Sequence, residues 1–276
     1  LPSGAPASTF SFRVRRDTAG PFGAHAPALA VAAGNTGHWI RARVTDNSGR
    51  VGSVVVRYRI EPETEEREIV LRSIAPGLYT GELQTAILEA GREIHYALTA
   101  RDRAAQPNAT VLPETGNYRV AIREGAAFDL ESGPGPFEVS GDWQWGEPEE
   151  PALAFSGSRC WGTGLTGGHA AEGVSELIWG PIDLRARERA SLRFRHFYGA
   201  EAGHAGGRVE VSTSPVPDWR LLMPDGGYPA GAAGDSGGAY SGDSDDFEEA
   251  VFALDQMLGR KIWIRFRFEN DGSGRS

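Results

Sequence analysis

Cysteine is almost absent: Cys160 is the only one in 276 residues. A single thiol rules out an internal disulfide, which argues against a small eukaryotic secreted domain and leaves bacterial secretion open. Lysine is equally scarce. Lys261 stands alone, so nearly all positive charge is arginine, which we read as a compositional bias. Basic residues are outnumbered, 28 Lys and Arg against 37 Asp and Glu, for a formal charge of −9. Without a basic excess there is no electrostatic footprint for a phosphate backbone, so nucleic acid is excluded as a partner. No run of 18 or more apolar residues occurs, so no transmembrane helix is expected. The opening Leu1-Pro2-Ser3-Gly4-Ala5-Pro6-Ala7-Ser8 lacks a charged and then an apolar stretch. Any signal peptide is therefore expected to be removed already or to lie upstream.

What is present is turn chemistry between short apolar runs. The 37 glycines and 17 prolines are spread along the chain, and hydrophobic residues make up 40% of it. That combination fits an all-β protein with many turns. In Val54-Val55-Val56-Arg57-Tyr58-Arg59-Ile60 the residues Val54, Val56, Tyr58 and Ile60 share one face. Arg57 and Arg59 point the other way, the period of two of a half-buried strand. Ile40–Val44 repeats the pattern and leads into Asp46-Asn47-Ser48-Gly49, a turn. Further strands are expected at Ile94–Thr99 and Gly116–Ile122. So many short strands within about a hundred residues suggest an immunoglobulin-like sandwich.

The alternation lapses near Arg123-Glu124-Gly125-Ala126-Ala127, which places a boundary between residues 1–125 and 126–276. Residues 1–20, with the strand-like Phe10-Ser11-Phe12-Arg13-Val14, are open to being the tail of a preceding segment. Six of the seven tryptophans lie beyond residue 140. Strands are expected at Ser191–Tyr198, Arg208–Ser212 and Ile262–Phe268, far apart in sequence, as in a jelly roll. In the last, Ile262, Ile264, Phe266 and Phe268 form an apolar row while Arg265 and Arg267 face water. A short helix is expected over Phe247–Leu258.

Residues 40–120 carry Asp46-Asn47-Ser48-Gly49, the strand at residues 54–60, Pro76-Gly77-Leu78-Tyr79-Thr80-Gly81-Glu82-Leu83, Gly91, the strand at residues 94–99 and Asp102. This is similar to the fibronectin type III-like modules found beside catalytic domains in bacterial secreted hydrolases. Residues 128–271 begin with Phe128-Asp129-Leu130-Glu131-Ser132-Gly133, followed by Trp143, Trp145-Gly146-Glu147-Pro148 and Trp161-Gly162-Thr163. Ser175–Leu184, Gly206-Gly207-Arg208-Val209-Glu210-Val211-Ser212 and Gly227-Tyr228-Pro229 come next. This order resembles the jelly-roll accessory domain of immune inhibitor A-type metallopeptidases and related bacterial proteins. His204-Ala205 stand where that family usually has an acidic residue, and its last strand is expected beyond Ser276. The resemblance implies a non-catalytic accessory region, secreted or at a bacterial cell surface, attached to adjoining domains of a longer chain. It also nominates Asp129 and Glu131, with Asp271 as a third, around a structural calcium, and places Trp143, Trp145 and Trp161 at structural positions.

Three chemical readings stand beside it. Gly234-Asp235-Ser236-Gly237-Gly238 copies the nucleophile loop of chymotrypsin-like proteases. No histidine has the sequence context of that family's base, and flanking cysteines are absent, so Ser236 is expected to be no nucleophile. The six histidines form no zinc-binding pattern. The loop with Asp235, Asp243, Asp245 and Asp246 is a second place for calcium, which favours several oxygen ligands. Trp263 alternates with the apolar row, faces outward beside Arg265 and is the tryptophan suited to a sugar. The expected partners are therefore a protein or a glycan, and no catalytic residue is assigned.

Overall fold

The computed structural model describes residues 17–28, 30–33, 37–84, 88–149, 153–167, 172–214, 218–229 and 238–272. Ser236 and Asp235 lie outside the described residues. The chain forms two compact units, Leu1–Ala127 and Phe128–Ser276, a division two residues beyond the expected boundary. No helix among the described residues is long and apolar enough to cross a membrane.

In the first unit, β1 (Phe22–Ala24), β2 (Ala30–Ala32), β3 (Gly37–Thr45), β4 (Val51–Ile60) and β5 (Arg67–Val70) come first. They are followed by β6 (Arg72–Ala75), β7 (Leu78–Gln84), β8 (Glu93–Asp102), β9 (Ala109–Leu112) and β10 (Tyr118–Arg123). One sheet has the order β1-β3-β7-β6 and the other β2-β10-β8-β4-β5, with β9 also on β8. This is immunoglobulin connectivity, A-B-E-D against G-F-C, with β5 added beside β4. β9 and β10 share one edge of β8, separated by residues 113–117. Only Leu71 separates β5 from β6, and it is buried where the chain steps from one sheet to the other.

The alternation read in the sequence builds this core. Val54, Val56, Tyr58 and Ile60 of β4 are buried with Ile40, Ala42 and Val44 of β3 and Ile94, Tyr96 and Leu98 of β8. On the opposite face of β4, Arg57 reaches Glu68 of β5 at 2.9 Å. His25 ties the entry segment down, with Nδ1 2.7 Å from the Arg41 carbonyl and Nε2 2.7 Å from the Tyr96 hydroxyl. A carbonyl only accepts, so a neutral ring carries its proton on Nδ1 and accepts from Tyr96.

The second unit contains β11 (Phe137–Ser140), β12 (Trp143–Gly146), β13 (Cys160–Thr163), β14 (Gly173–Asp183), β15 (Ser191–His196) and β16 (Gly199–Ala200). After these come β17 (Ala205–Ser212), β18 (Arg220–Leu221), β19 (Gly242–Asp243), β20 (Glu248–Ala253) and β21 (Lys261–Asn270). A five-stranded sheet has the order β11-β14-β21-β17-β18, and β12-β13, β15-β20 and β16-β19 pair separately. Successive long strands change sheets: β14 to β15, β15 to β17, β20 to β21. That alternation is the jelly-roll habit. Ile262 and Ile264 of β21 pack with Val209, Val211, Phe252 and Leu254 in one core.

Two local expectations are corrected. The helix over Phe247–Leu258 is instead strand β20 and a single 3₁₀ turn, Asp255–Met257. The segment carries both periods: Phe247, Val251, Leu254 and Leu258 suit a helix, while Ala250, Phe252 and Leu254 alternate. Pairing of β20 with β15 buries the alternating set, and tertiary burial overrides the local ambiguity. Arg265, expected in water, is buried at 8% exposure. Alternation assigns it to the outer face correctly, but other side chains cover that face.

Candidate functional site

The outer face of the five-stranded sheet holds a dense polar constellation. Register sets it: Arg265 lies between Glu210 on β17 and Ile178 on β14, and Arg267 lies between Arg208 and Glu176. Arg265 donates through Nη1 to Glu176 Oε1 at 2.5 Å and through Nε to Glu210 Oε2 at 2.6 Å. Its Nη2 also reaches Glu210 Oε2. Arg208 Nε donates to Glu210 Oε1 at 2.9 Å, and Arg208 and Arg267 both reach Glu269, at 3.4 and 3.1 Å. Three guanidinium groups and three carboxylates thus neutralise one another across three strands. The Arg265 guanidinium carbon lies 4.5 Å over the Trp219 ring, a cation–π contact that covers the lattice from the β18 edge. Arg267 Nε is buried and donates no hydrogen bond.

Trp263 lies on this same face, half-buried, opposite Ser212. A bulge in β14 between Trp179 and Ile182 brings Gly180 beneath it. A Cβ on Gly180 would stand 2.7 Å from Trp263 Cδ1, so only glycine lets the indole settle there. The face can offer a polar ligand fixed hydrogen-bonding groups between two indoles. Among the described residues it presents no nucleophile with an attached base.

Asp129 and Glu131 lie close in sequence, and three of their oxygens accept from neighbouring amides and a hydroxyl. Asp129 Oδ1 accepts from the Glu131 amide at 3.0 Å. Glu131 Oε1 accepts from the amides of Ser158 and Arg159 at 3.0 and 2.9 Å, and Oε2 accepts from the Ser158 hydroxyl at 3.1 Å. Glu131 therefore clamps the loop before β13 onto the start of the unit. Trp145 and Trp161, opposite each other in the β12–β13 pair, donate their indole N–H to the carbonyls of Leu130 and Pro134. Asp271 belongs to a different place, with its carboxylate 3.2 Å from His204 Nδ1. The three acids are not brought together around one point. Of the acidic loop, Asp243 is on β19, and Asp246 accepts from the Phe247 amide at 2.8 Å.

Among the described residues, ligand atoms converge in two other groups, Glu61 with Glu93 and His95, and Asp17 with Asp46 and Asp102. At the first, Arg59 lies 3.1 Å from His95 Nδ1. A guanidinium only donates, so the neutral ring carries its proton on Nε2, aimed at Glu93 (3.1 Å) and Glu61 (3.3 Å). That proton occupies the place a metal would take.

Cys160 and His196 are individually unsuited to nucleophilic chemistry. Burial pushes the Cys160 thiol up to about 11, with the charge of Glu131 adding to it. The thiolate that attack requires is therefore suppressed. Burial lowers His196 to about 4. Its ring is packed against Tyr240 at 4.1 Å between centroids, with Phe194 and Tyr198 at 5.4 and 5.5 Å.

No family model matches the chain. A curated relative, bacillopeptidase F of Bacillus subtilis (strain 168), is 24% identical over 228 residues. The match covers 81% of this chain and 15% of that protein. The chain therefore spans a small part of the relative it matches. A solved structure, described as a structural basis for the promiscuous specificity of carbohydrate-binding modules from the β-sandwich super family, aligns over 94% of both chains. It does so at 16% identity and a TM-score of 0.36, too low to equate the two folds.

Proposed function

We propose that this chain is a non-catalytic accessory region of a secreted bacterial peptidase or related secreted hydrolase, acting by binding or scaffolding. The observation that carries this reading is the similarity to bacillopeptidase F. It extends over 228 residues, longer than either unit alone, so it includes parts of both units. It also covers only 15% of that protein, as an accessory stretch would. The protonated thiol of Cys160 and the neutral, ring-packed His196 support the same reading. The test is deletion of this region from the longer protein that contains it. Turnover of a short soluble peptide should persist, while retention on cell-wall material or a large protein substrate should fall. Loss of short-peptide turnover by a still-folded remainder would oppose the proposal.

A glycan is the second reading, favoured by two indoles, Trp219 and Trp263, beside a polar lattice on one sheet face. Sugars commonly dock on aromatic faces next to hydrogen-bonding groups. Affinity electrophoresis in polysaccharide gels checks it. Retardation that is lost in Trp263→Ala supports a glycan, and retardation untouched by Trp263→Ala and Trp219→Ala argues against this face.

A further inference from the structure

Three carboxylates meet at one end of the first unit. Asp17 precedes β1, Asp46 opens the turn from β3 to β4, and Asp102 ends β8. One oxygen from each lies within 4.8 Å of the others. Among the described residues no guanidinium, ammonium or imidazole is paired with any of them. Among the described residues, compensation comes from dipoles. Asn47 Nδ2 donates to Asp17 Oδ1 at 3.2 Å, and Asn108 Nδ2 donates to Asp102 Oδ2 at 2.6 Å and to the Asp17 carbonyl at 3.3 Å. The amide of Ala19 donates to Asp17 Oδ1 at 3.1 Å. Asp102 Oδ1 accepts the amides of Ala104 and Asn108 at 3.1 and 3.0 Å.

Asp46 differs from its two partners. Its Oδ1 accepts from the amide and hydroxyl of Ser48, but Oδ2 is shielded from solvent and accepts nothing. A shielded carboxylate oxygen without a donor, on a residue grouped with two more carboxylates, is a costly arrangement. Asp102 is itself only 3% exposed. Burial alone would raise its pKa, yet the side chain of Asn108 and the two amides outweigh that and hold it below the ordinary value.

We propose that Asp17, Asp46 and Asp102 bind a calcium ion that fastens the entry segment, the β3–β4 turn and the β8–β9 loop to one another. The spacing fits the ion. Three carboxylate oxygens within 4.8 Å of one another are close enough for a small inward shift to bring them to the ~2.4 Å at which Ca²⁺ holds oxygen. Every donor is oxygen, the hard-ligand set calcium takes, with no imidazole or thiolate to favour zinc. The Asp17 carbonyl and the amide oxygens of Asn47 and Asn108 are at hand to complete the shell once the amides turn. A glycine supports the geometry: at Gly52, in the bulge that opens β4, a Cβ would stand 2.4 Å from the Asp102 carbonyl oxygen. Only a residue without a side chain lets β4 run this close behind the cluster. The affinity expected is that of extracellular calcium modules, a Kd on the order of 0.1–1 mM. This inference does not rest on the accessory-region reading and would survive its failure.

The test is thermal melting and calorimetric titration of the whole chain after EDTA treatment, with CaCl₂ or MgCl₂ alone as probe. Millimolar calcium should raise the melting temperature of the first unit by roughly 5–10 °C, with one ion bound per chain and a weaker response to magnesium. Asp46→Asn and Asp17→Asn should each abolish the rise, while Asp129→Asn and Asp271→Asn should retain it. In EDTA, Asp46→Asn should melt no lower than the wild type, because it removes a repelling charge, and this shows that the variant folds. Absence of a calcium response in the wild type overturns the proposal. So does a response that survives in the Asp17→Asn/Asp46→Asn double variant.

Discussion

Replacing Arg265 by methionine removes one charge from the lattice while keeping most of its apolar contact over Trp219. Arg265 is 8% exposed and Glu210 is 7% exposed. Taking away one partner of a buried pair costs about 3–5 kcal/mol, because the other charge stays buried. Two features reduce that here. Arg208 still holds Glu210 at 2.9 Å, and the Glu176 side chain is 25% exposed, so water can reach it. Loss of the cation–π contact adds back roughly 1 kcal/mol. The expected destabilisation of the second unit is therefore about 3 kcal/mol. The double variant Arg265→Met/Glu210→Gln removes the stranded charge as well, and should recover about 2 kcal/mol of the loss. Urea unfolding followed by tryptophan fluorescence is the suitable assay. Six of the seven tryptophans lie beyond residue 140, so the signal reports mainly the second unit. A single variant that loses less than about 1 kcal/mol would refute the reasoning, as would a double variant no more stable than the single one.

His196 predicts a pH dependence. Its folded pKa is lowered by burial from 6.5 to about 4, so the unfolded chain binds the proton more readily. The stability this confers is complete above pH 6.5 and drains away as pH falls from there towards 4. The full shift corresponds to ~3 kcal/mol, reduced to about 2 by partial solvation of the ring; urea melts of the wild type and His196→Phe should diverge by that much between pH 7 and pH 4. Cys160, raised from 9.0 to about 11, should hold about a hundredfold less thiolate than an unperturbed thiol. Iodoacetamide should label it correspondingly slowly until urea unfolds the second unit, and rapid labelling of the folded chain would contradict the burial. Gly157 has φ +61°, and a Cβ there would stand 2.3 Å from the Glu131 carboxyl. Gly157→Ala should cost about 2 kcal/mol in a urea melt, from backbone strain and loss of the Glu131 clamp.

Strand identity was legible wherever one period dominated. Val54, Val56, Tyr58 and Ile60 alternate without competition from a helical pattern, and they are the buried face of β4. The segment before Leu258 satisfied two periods at once, so its structure depended on pairing with β15, which no local pattern encodes. Arg265 shows a different limit. Alternation assigns a side chain to a face but says nothing about what covers that face, and Trp219 reaches it from just before the two-residue edge strand β18. The acids illustrate the same point. Asp129 and Glu131 are near in sequence, and three of their oxygens are used by neighbouring amides and a hydroxyl. Asp17, Asp46 and Asp102 each read as an ordinary turn or strand-end residue. Only the stacking of the two sheets brings them to one point.

The central claim is that this region binds or scaffolds and does not cut. The most direct measurement is labelling of the purified chain with a fluorophosphonate probe that reacts covalently with activated serines, run beside an assay on a fluorogenic peptide library. The expected result is no label and no hydrolysis above a heat-denatured control. Stoichiometric labelling at Ser236, lost in Ser236→Ala together with measurable peptide turnover, would contradict it.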